Sequence, residues 1–221
     1  MRRSARASLG GRPSRADSEK LGERILDVAT TLFLAHGYGA TSIEQVVKRA
    51  RISKRTFYHR FKDKPALFGA VVHRIVERLR PRADIPPIEG ADLPAVLRRL
   101  ADLILRAALS PQAIALHRLI VGESARFPRL VAVVNENTAI EETVALIAGL
   151  LERERHAGTI ALRDPAFAAR QFLYMTFTVP QRRALGLGAP MSAAELRDWP
   201  RDTVRLFLEG CRWRAAGRRA R

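Results

Sequence analysis

The chain has 221 residues, 47% of them apolar and 28% charged, with a net charge of +17. That is long enough to bury a core and too apolar for wholesale disorder, and the excess of cations points to a polyanionic partner, either nucleic acid or an acidic membrane surface. The single cysteine, Cys211, excludes an intrachain disulfide and a thiolate zinc site, and no stretch is apolar and long enough to span a bilayer. The basic N-terminus leads into no apolar run and does not read as a secretory signal, so a reducing cytoplasm is the expected compartment.

Residues 1–17 are rich in Arg, Ser, Gly and Ala without a hydrophobic period, and read as a disordered basic arm. Two readings of it stand: a solvated tail, or an arm that reaches DNA phosphates or a minor groove. From Ser18 to His36, Leu21, Ile25, Val28, Ala29, Leu32 and Phe33 recur at helical spacing, and Gly37 is a natural stop. Thr41 or Ser42 caps a second helix whose inner face is Ile43, Val46, Val47 and Ala50. Arg51-Ile52 makes a turn, Ser53 caps a third helix ending near Phe61, and Asp63 caps a fourth with Pro65 in its first turn. Phe68, Val71, Val72, Ile75 and Leu79 stripe that fourth helix, and Pro81 ends it.

Residues 83–90, with Pro86 and Pro87, read as an inter-domain joint. Beyond it Leu93, Val96, Leu97, Leu100 and Ile104 form one helical face. Ser110-Pro111 starts a helix running to about Phe127, and Pro128 starts a long one with Val131, Val134, Val144, Ala148 and Leu151 inside, stopped by Gly158. Asp164-Pro165 starts another that carries Phe167, Phe172, Met175 and Phe177. Ser192 and Glu195 form a capping box, Pro200 is expected to break or kink the helix at Trp199, and a last helix ends near Trp213. No alternating strand pattern and no internal repeat stands out, so the fold class is all-α.

The segment Ser42–Lys64 carries the functional signal. Two short helices joined by a tight turn make a helix-turn-helix, and the second presents DNA-contacting residue types on its outer face. Lys54, Arg55 and Thr56 lie near its N-terminus, where side chains reach base edges: the cations suit guanine O6 and N7, and the Thr methyl suits a thymine methyl. Tyr58 and His59 are placed like phosphate contacts, with Phe57 and Phe61 beneath them. Thr41, Ser42, Ser53 and Lys64 complete the candidate DNA-binding set, Lys64 by offering a helix N-terminus and a cation to phosphate. The plainer alternative is that Lys54 and Arg55 are only a solvated face.

Residues 18–70 resemble the DNA-binding domain of the TetR family of bacterial transcriptional regulators. The residues that carry the resemblance are Ile25, Ala29, Leu32, Phe33, Gly37, Thr41, Ile43, Val46, Ala50, Ser53, Thr56, Tyr58, Phe61, Lys64 and Leu67. Two positions depart from it. Arg51 stands where the turn usually has Gly, which strains a non-Gly residue by about 1 kcal/mol if φ is positive there. Arg55 stands where a small residue is common, and adds a cation at the start of the reading helix. Residues 113–213 are further similar to the C-terminal domains of AefR-type repressors, through L-H-R-L-I from Leu116, E-S-A-R-F-P from Glu123, A-A-R-Q-F-L from Ala168 and R-L-F-L-E-G from Arg205.

The resemblance implies a three-helix DNA-binding domain with its helix-turn-helix at 18–64, a larger helical ligand-binding and dimerisation domain at 65–214, and a basic tail at 215–221. It implies double-stranded DNA as partner, a homodimer, an unknown small hydrophobic or amphipathic effector, and no cofactor, metal or membrane. His117, Phe127, Asn137, Glu141, Phe172, Met175 and Phe177 are the candidates for an effector pocket. Each has a plainer reading. The apolar ones suit a core or an interface, His117 suits a satisfied buried histidine, and Asn137 and Glu141 suit solvent as well as a wet cavity.

Three functions compete: a ligand-responsive regulator, more readily a repressor; a constitutive, weakly specific architectural DNA-binding protein, favoured by the charge and the basic ends; and an enzyme. The five histidines, His36, His59, His73, His117 and His156, are scattered, and there is no H-E-x-x-H, nucleophile elbow, P-loop or dinucleotide fingerprint. The enzyme reading is therefore set aside.

Overall fold

The computed structural model describes residues 15–79, 92–128, 130, 132 and 139–211. Among the described residues there are nine helices and no strand: α1 (Arg15–Ala40), α2 (Ile43–Ala50), α3 (Lys54–Arg60), α4 (Lys64–Leu79), α5 (Leu93–Ala108), α6 (Pro111–Ser124), α7 (Ala139–His156), α8 (Pro165–Ala184) and α9 (Ala193–Cys211). The chain divides into two compact units, Met1–Val71 and Val72–Arg221.

In the first unit the helical stripe of α1 is buried as its spacing predicts, with Ile25, Ala29 and Phe33 fully inside. Gly37 interrupts the helix at φ 86°, ψ 167°, a conformation in the left-handed half of the map that its missing Cβ allows. The break turns Tyr38 back onto the core, where the rings of Phe33, Tyr38 and Phe68 meet with centroids 5.3–5.7 Å apart. Helix α1 begins at Arg15, so it takes in the last three residues of the expected disordered arm. Residues 1–14 lie outside the described residues.

In the second unit α5 is the central element, packed on α8 and α9, while α7 packs along α8. Leu97, Ala101, Ile147, Leu151, Ala169 and Phe172 are fully buried between them. Phe172 and Phe207 meet at 5.0 Å. Helix α6 ends at Ser124, three residues before the expected Phe127, because the N–H groups of Arg126 and Phe127 both return to the Glu123 carbonyl and close the last turn. Pro128, Leu130 and Ala132 are helical, as expected of a helix starting at Pro128, with Leu130 buried, while Val131 and Val134, the expected joint at 83–90 and the basic tail from 212 lie outside the described residues.

Helix α9 corrects the expected break at Trp199. It runs unbroken through Trp199 and Pro200, started by the reciprocal cap of Ser192 and Glu195. Pro200 removes one backbone donor, at a cost of about 3 kcal/mol. Burying Val204, Phe207 and Leu208 on the same helix outweighs it, at roughly 1.5–3 kcal/mol for each side chain. A second proline, Pro180, sits inside α8, which also continues past it. No single helix among the described residues is long and apolar enough to cross a membrane. Helices α5 and α6 reach that length only as a pair bent by 61°, and the apolar face of α5 lies in the core.

Candidate nucleic-acid interface and cavity

The reading unit is built by its caps. Ser42 starts α2: its Oγ accepts from Gln45 N at 3.2 Å, and Gln45 Oε1 accepts from Ser42 N at 2.7 Å. Val46 and Ala50 then point inward. The helix ends on Arg51, which has φ 53° and ψ 52° and donates its N–H to Lys48 O. The left-handed turn expected at this position is thus made by an arginine. Ser53 restarts the chain as α3, accepting from Thr56 N at 3.0 Å and lying 2.8 Å from Thr56 Oγ1.

Helix α3 is short, and one side chain anchors it. Phe57 is fully buried, with Tyr58 edge-on to it at 5.3 Å and Phe61 at 5.7 Å. The outward face holds Ser53, Lys54, Arg55, Tyr58 and His59, all exposed, with Tyr58 at 52%. Lys54 is engaged across the turn: its Nζ donates to Glu44 Oε1 of α2 at 2.7 Å. The pair holds the Glu44 carboxyl below the usual carboxylate range and the Lys54 ammonium above the usual lysine range.

Two of the candidate residues have inward partners, and two more are held in caps. Thr41 departs from the expectation of a surface contact. It is 2% exposed and its hydroxyl donates to Gly37 O at 2.8 Å, so it braces the joint between α1 and α2. Lys64 lies over the Tyr38 ring at 4.3 Å and donates to Gly39 O at 3.3 Å, bracing the same joint from α4. Ser42 and Thr56 are half-buried, held by their caps. Sequence reasoning missed the tie between α3 and α1. Arg60 donates to the carbonyl of Ser18 and, at 2.6 Å, to its hydroxyl. The guanidinium crosses α1 at Gly22, where an added Cβ would lie 2.6 Å from Arg60 Nη1. The signal was a lone glycine in mid-helix.

The second unit contains a cavity of about 420 Å³ lined by Val76, Leu79, Ile104, Ala107, Ala108, Ala113, His117, Ile140, Thr143, Leu173, Tyr174, Phe177 and Gln181. Of the candidates, His117 and Phe177 line it. Phe172 is core and Met175 is half-buried on the same helix, neither of them lining the cavity. Phe127 lies apart from the lining, with the Arg126 guanidinium 5.8 Å from its ring. Glu141 is exposed and accepts a two-pronged bond from Arg170, at 2.8 Å to each oxygen, which lowers its pKa. Asn137 lies outside the described residues. Tyr174 and Gln181 were missed, although Leu173, Phe177 and Gln181 recur at i, i+4, i+8 on α8. Gln181 Nε2 donates to Ala108 O at 3.1 Å. No lining residue carries a formal charge other than through His117, and among the described residues no His, Cys, Asp or Glu group is placed to hold a metal.

The family described as bacterial regulatory proteins, tetR family, matches residues 25–71, and the AefR-like transcriptional repressor C-terminal domain matches residues 95–210. The HTH-type transcriptional regulator UidR of Escherichia coli (strain K12) is 30% identical over 123 residues, 55% of this chain and 61% of that protein. An uncharacterized HTH-type transcriptional regulator of Bacillus subtilis (strain 168), YhgD, is 37% identical over 68 residues, 31% of this chain and 34% of its own length. The chain thus spans 61% and 34% of the lengths of these two curated relatives. Among solved structures, the flavonoid-responsive regulator FrrA superposes with a TM-score of 0.75 at 30% identity, covering 89% of this chain and all (100%) of that one. A TetR-family chain from Mesorhizobium loti superposes with a TM-score of 0.73 at 28% identity, covering 89% and 98%.

Proposed function

This chain belongs to the TetR family of bacterial transcriptional regulators, and from that premise we propose that it is a cytoplasmic, homodimeric, ligand-responsive repressor that reads a palindromic operator through α3. The observation that carries the reading is the outward face of α3, where Lys54, Arg55, Tyr58 and His59 stand exposed above a buried Phe57. A helix so anchored presents its N-terminal end, Lys54 and Arg55 foremost, toward base edges in a major groove, while Tyr58 and His59 flank them at phosphate height. Two such helices in a dimer must sit about 34–36 Å apart to enter successive major grooves. An effector that favours another spacing weakens DNA binding by the same factor that DNA weakens the effector.

The cavity supports the ligand-responsive half of the proposal. Its volume falls within the range of about 300–1,000 Å³ usual for small-molecule sites. Its lining is apolar apart from His117, Thr143, Tyr174 and Gln181, which suits a neutral or weakly amphipathic molecule carrying a few hydroxyls. That FrrA is flavonoid-responsive by name is consistent with such chemistry.

The test is selection of duplexes by the full-length protein from a random pool, followed by titration with neutral aromatic and aliphatic candidates. A recovered inverted repeat, bound at least about a thousandfold more tightly than random DNA and released by a neutral ligand, is the expected result. Binding without sequence preference, with a steep salt dependence alone, would instead identify a constitutive architectural protein.

A further inference from the structure

Residues 41–62 carry seven fixed cations, Lys48, Arg49, Arg51, Lys54, Arg55, Arg60 and Lys62, and a single carboxylate, Glu44. A carboxylate on a surface that meets a polyanion opposes binding by like-charge repulsion. Glu44 also meets its own N–H and the Ser42 hydroxyl at the start of α2, but the reciprocal cap of that helix is closed by Ser42 and Gln45 without it, and Glu44→Gln keeps an acceptor there. Nor does folding depend on it, since an ion pair whose members are 59% and 61% exposed contributes little to stability. What Glu44 does is reach across the turn to the first residue of α3, accepting from Lys54 Nζ at 2.7 Å.

The geometry points to Glu44 as a positioning residue that makes Lys54 selective: it holds the ammonium at the head of the reading helix and cancels its attraction for phosphate at large. This rests on α3 being the base-reading helix. An unpaired lysine near DNA attracts any phosphate and releases counterions whatever the sequence. Paired with Glu44 it is neutral at a distance, while its ammonium keeps two N–H donors for an acceptor at close range, such as guanine O6 or N7. The pair therefore removes more from the nonspecific mode, which is made of phosphate attraction, than from the cognate mode.

The experiment uses the full-length protein, a duplex it selects from a random pool, and a random-sequence duplex of the same length, each titrated over a range of salt. Glu44→Gln keeps the shape and removes the charge. It is expected to tighten binding to the random duplex by about three- to tenfold, to steepen its salt dependence by about one unit of log–log slope, and to lower the selected-to-random ratio accordingly. In a Lys54→Ala background the same change is expected to leave that ratio within about twofold, because the lysine it restrains is gone. Equal thermal unfolding of all four proteins verifies that the fold is intact. An unchanged ratio after Glu44→Gln, or an equal gain with and without Lys54, overturns the inference in favour of a general charge effect. If the wild-type protein selects no sequence, the base-reading role of α3 fails and this inference falls with it; if it selects one and the cycle shows no coupling, only the role of Glu44 falls.

Discussion

The indole Nε1 of Trp199 on α9 donates to the backbone carbonyl of Thr176 on α8 at 2.8 Å. That carbonyl lacks the donor a helix would normally supply, because the residue four places on is Pro180. The gap in one helix is filled by a side chain from the next, and its two ends, Thr176 and Pro180, directly precede Phe177 and Gln181, which line the cavity.

Trp199→Phe is expected to destabilise the second unit by about 1–3 kcal/mol, since it leaves a poorly hydrated carbonyl without a partner. Pro180→Ala restores a backbone donor to the same oxygen. In that background Trp199→Phe is expected to cost at least about 1 kcal/mol less, a coupling readable by chemical denaturation of the four proteins. Equal costs in both backgrounds would show that the indole acts through packing alone.

Arg51→Gly is expected to stabilise the protein by about 0.5–1 kcal/mol, because a left-handed residue with a Cβ is strained and glycine is not. The melting temperature should rise by about 2 °C for a chain of this size. Arg51→Ala, which keeps the Cβ, should give no such rise.

Tyr58 and Arg55 separate by the DNA used. Tyr58→Phe removes a hydroxyl at phosphate height and is expected to weaken selected and random duplexes alike, by about 0.5–1.5 kcal/mol. Arg55→Ala is expected to cost about 1–3 kcal/mol on the selected duplex, at one base position, with a smaller loss on random DNA. Parallel losses for both variants on both duplexes would dissolve the division.

Much of the first unit was legible because its signals are local. Ser42, Ser53 and Asp63 are caps, Gly37 is a break, and Val46 with Ala50 marks an inner face, each readable within a turn of helix. Choosing between Thr41 and Ser42 as the cap was beyond local reading, since either hydroxyl suits and it is the bond from the Thr41 hydroxyl to Gly37 O, at the break in α1, that commits Thr41 inward. The second unit was harder for the same physical reason. Pro180 and Pro200 weigh against continuous helices by propensity, and only the burial of their neighbours tips the balance back. The cavity draws residues from α4, α5, α6, α7 and α8, so no window of sequence contains it, and Phe172, Met175 and Phe177 looked equivalent until one faced the core and another the void.

Filling the cavity should uncouple ligand from DNA. Ala113→Phe adds a ring at the start of α6, where the side chain lines the void and the cap from Ser110 uses only the backbone. Operator affinity without ligand is expected to stay within about twofold, while the ligand concentration for half release rises at least about tenfold. Equal ligand response in the variant would place the effector elsewhere.

Arg170→Met should change how Glu141 titrates. The hydrogen bonds from Arg170 lower the Glu141 pKa in the folded protein. The pair's contribution is therefore present above the unfolded carboxyl value and lost as pH falls through the lower folded one. With Met at 170 the Glu141 carboxyl signal, followed by NMR, is expected to titrate at higher pH, and the stability gap between wild type and variant should be full at neutral pH and shrink as pH falls through the carboxyl range.

Gly22 sets two virtues of α1 against each other. A methyl group there would improve the helix by about 1 kcal/mol, the ordinary gain of alanine over glycine. The same methyl would sit 2.6 Å from Arg60 Nη1 and push the guanidinium off Ser18, the tether that ties the far end of α3 to α1. Gly22→Ala thus yields a sturdier scaffold carrying a looser reading head, a trade in which thermal stability and operator discrimination move in opposite directions.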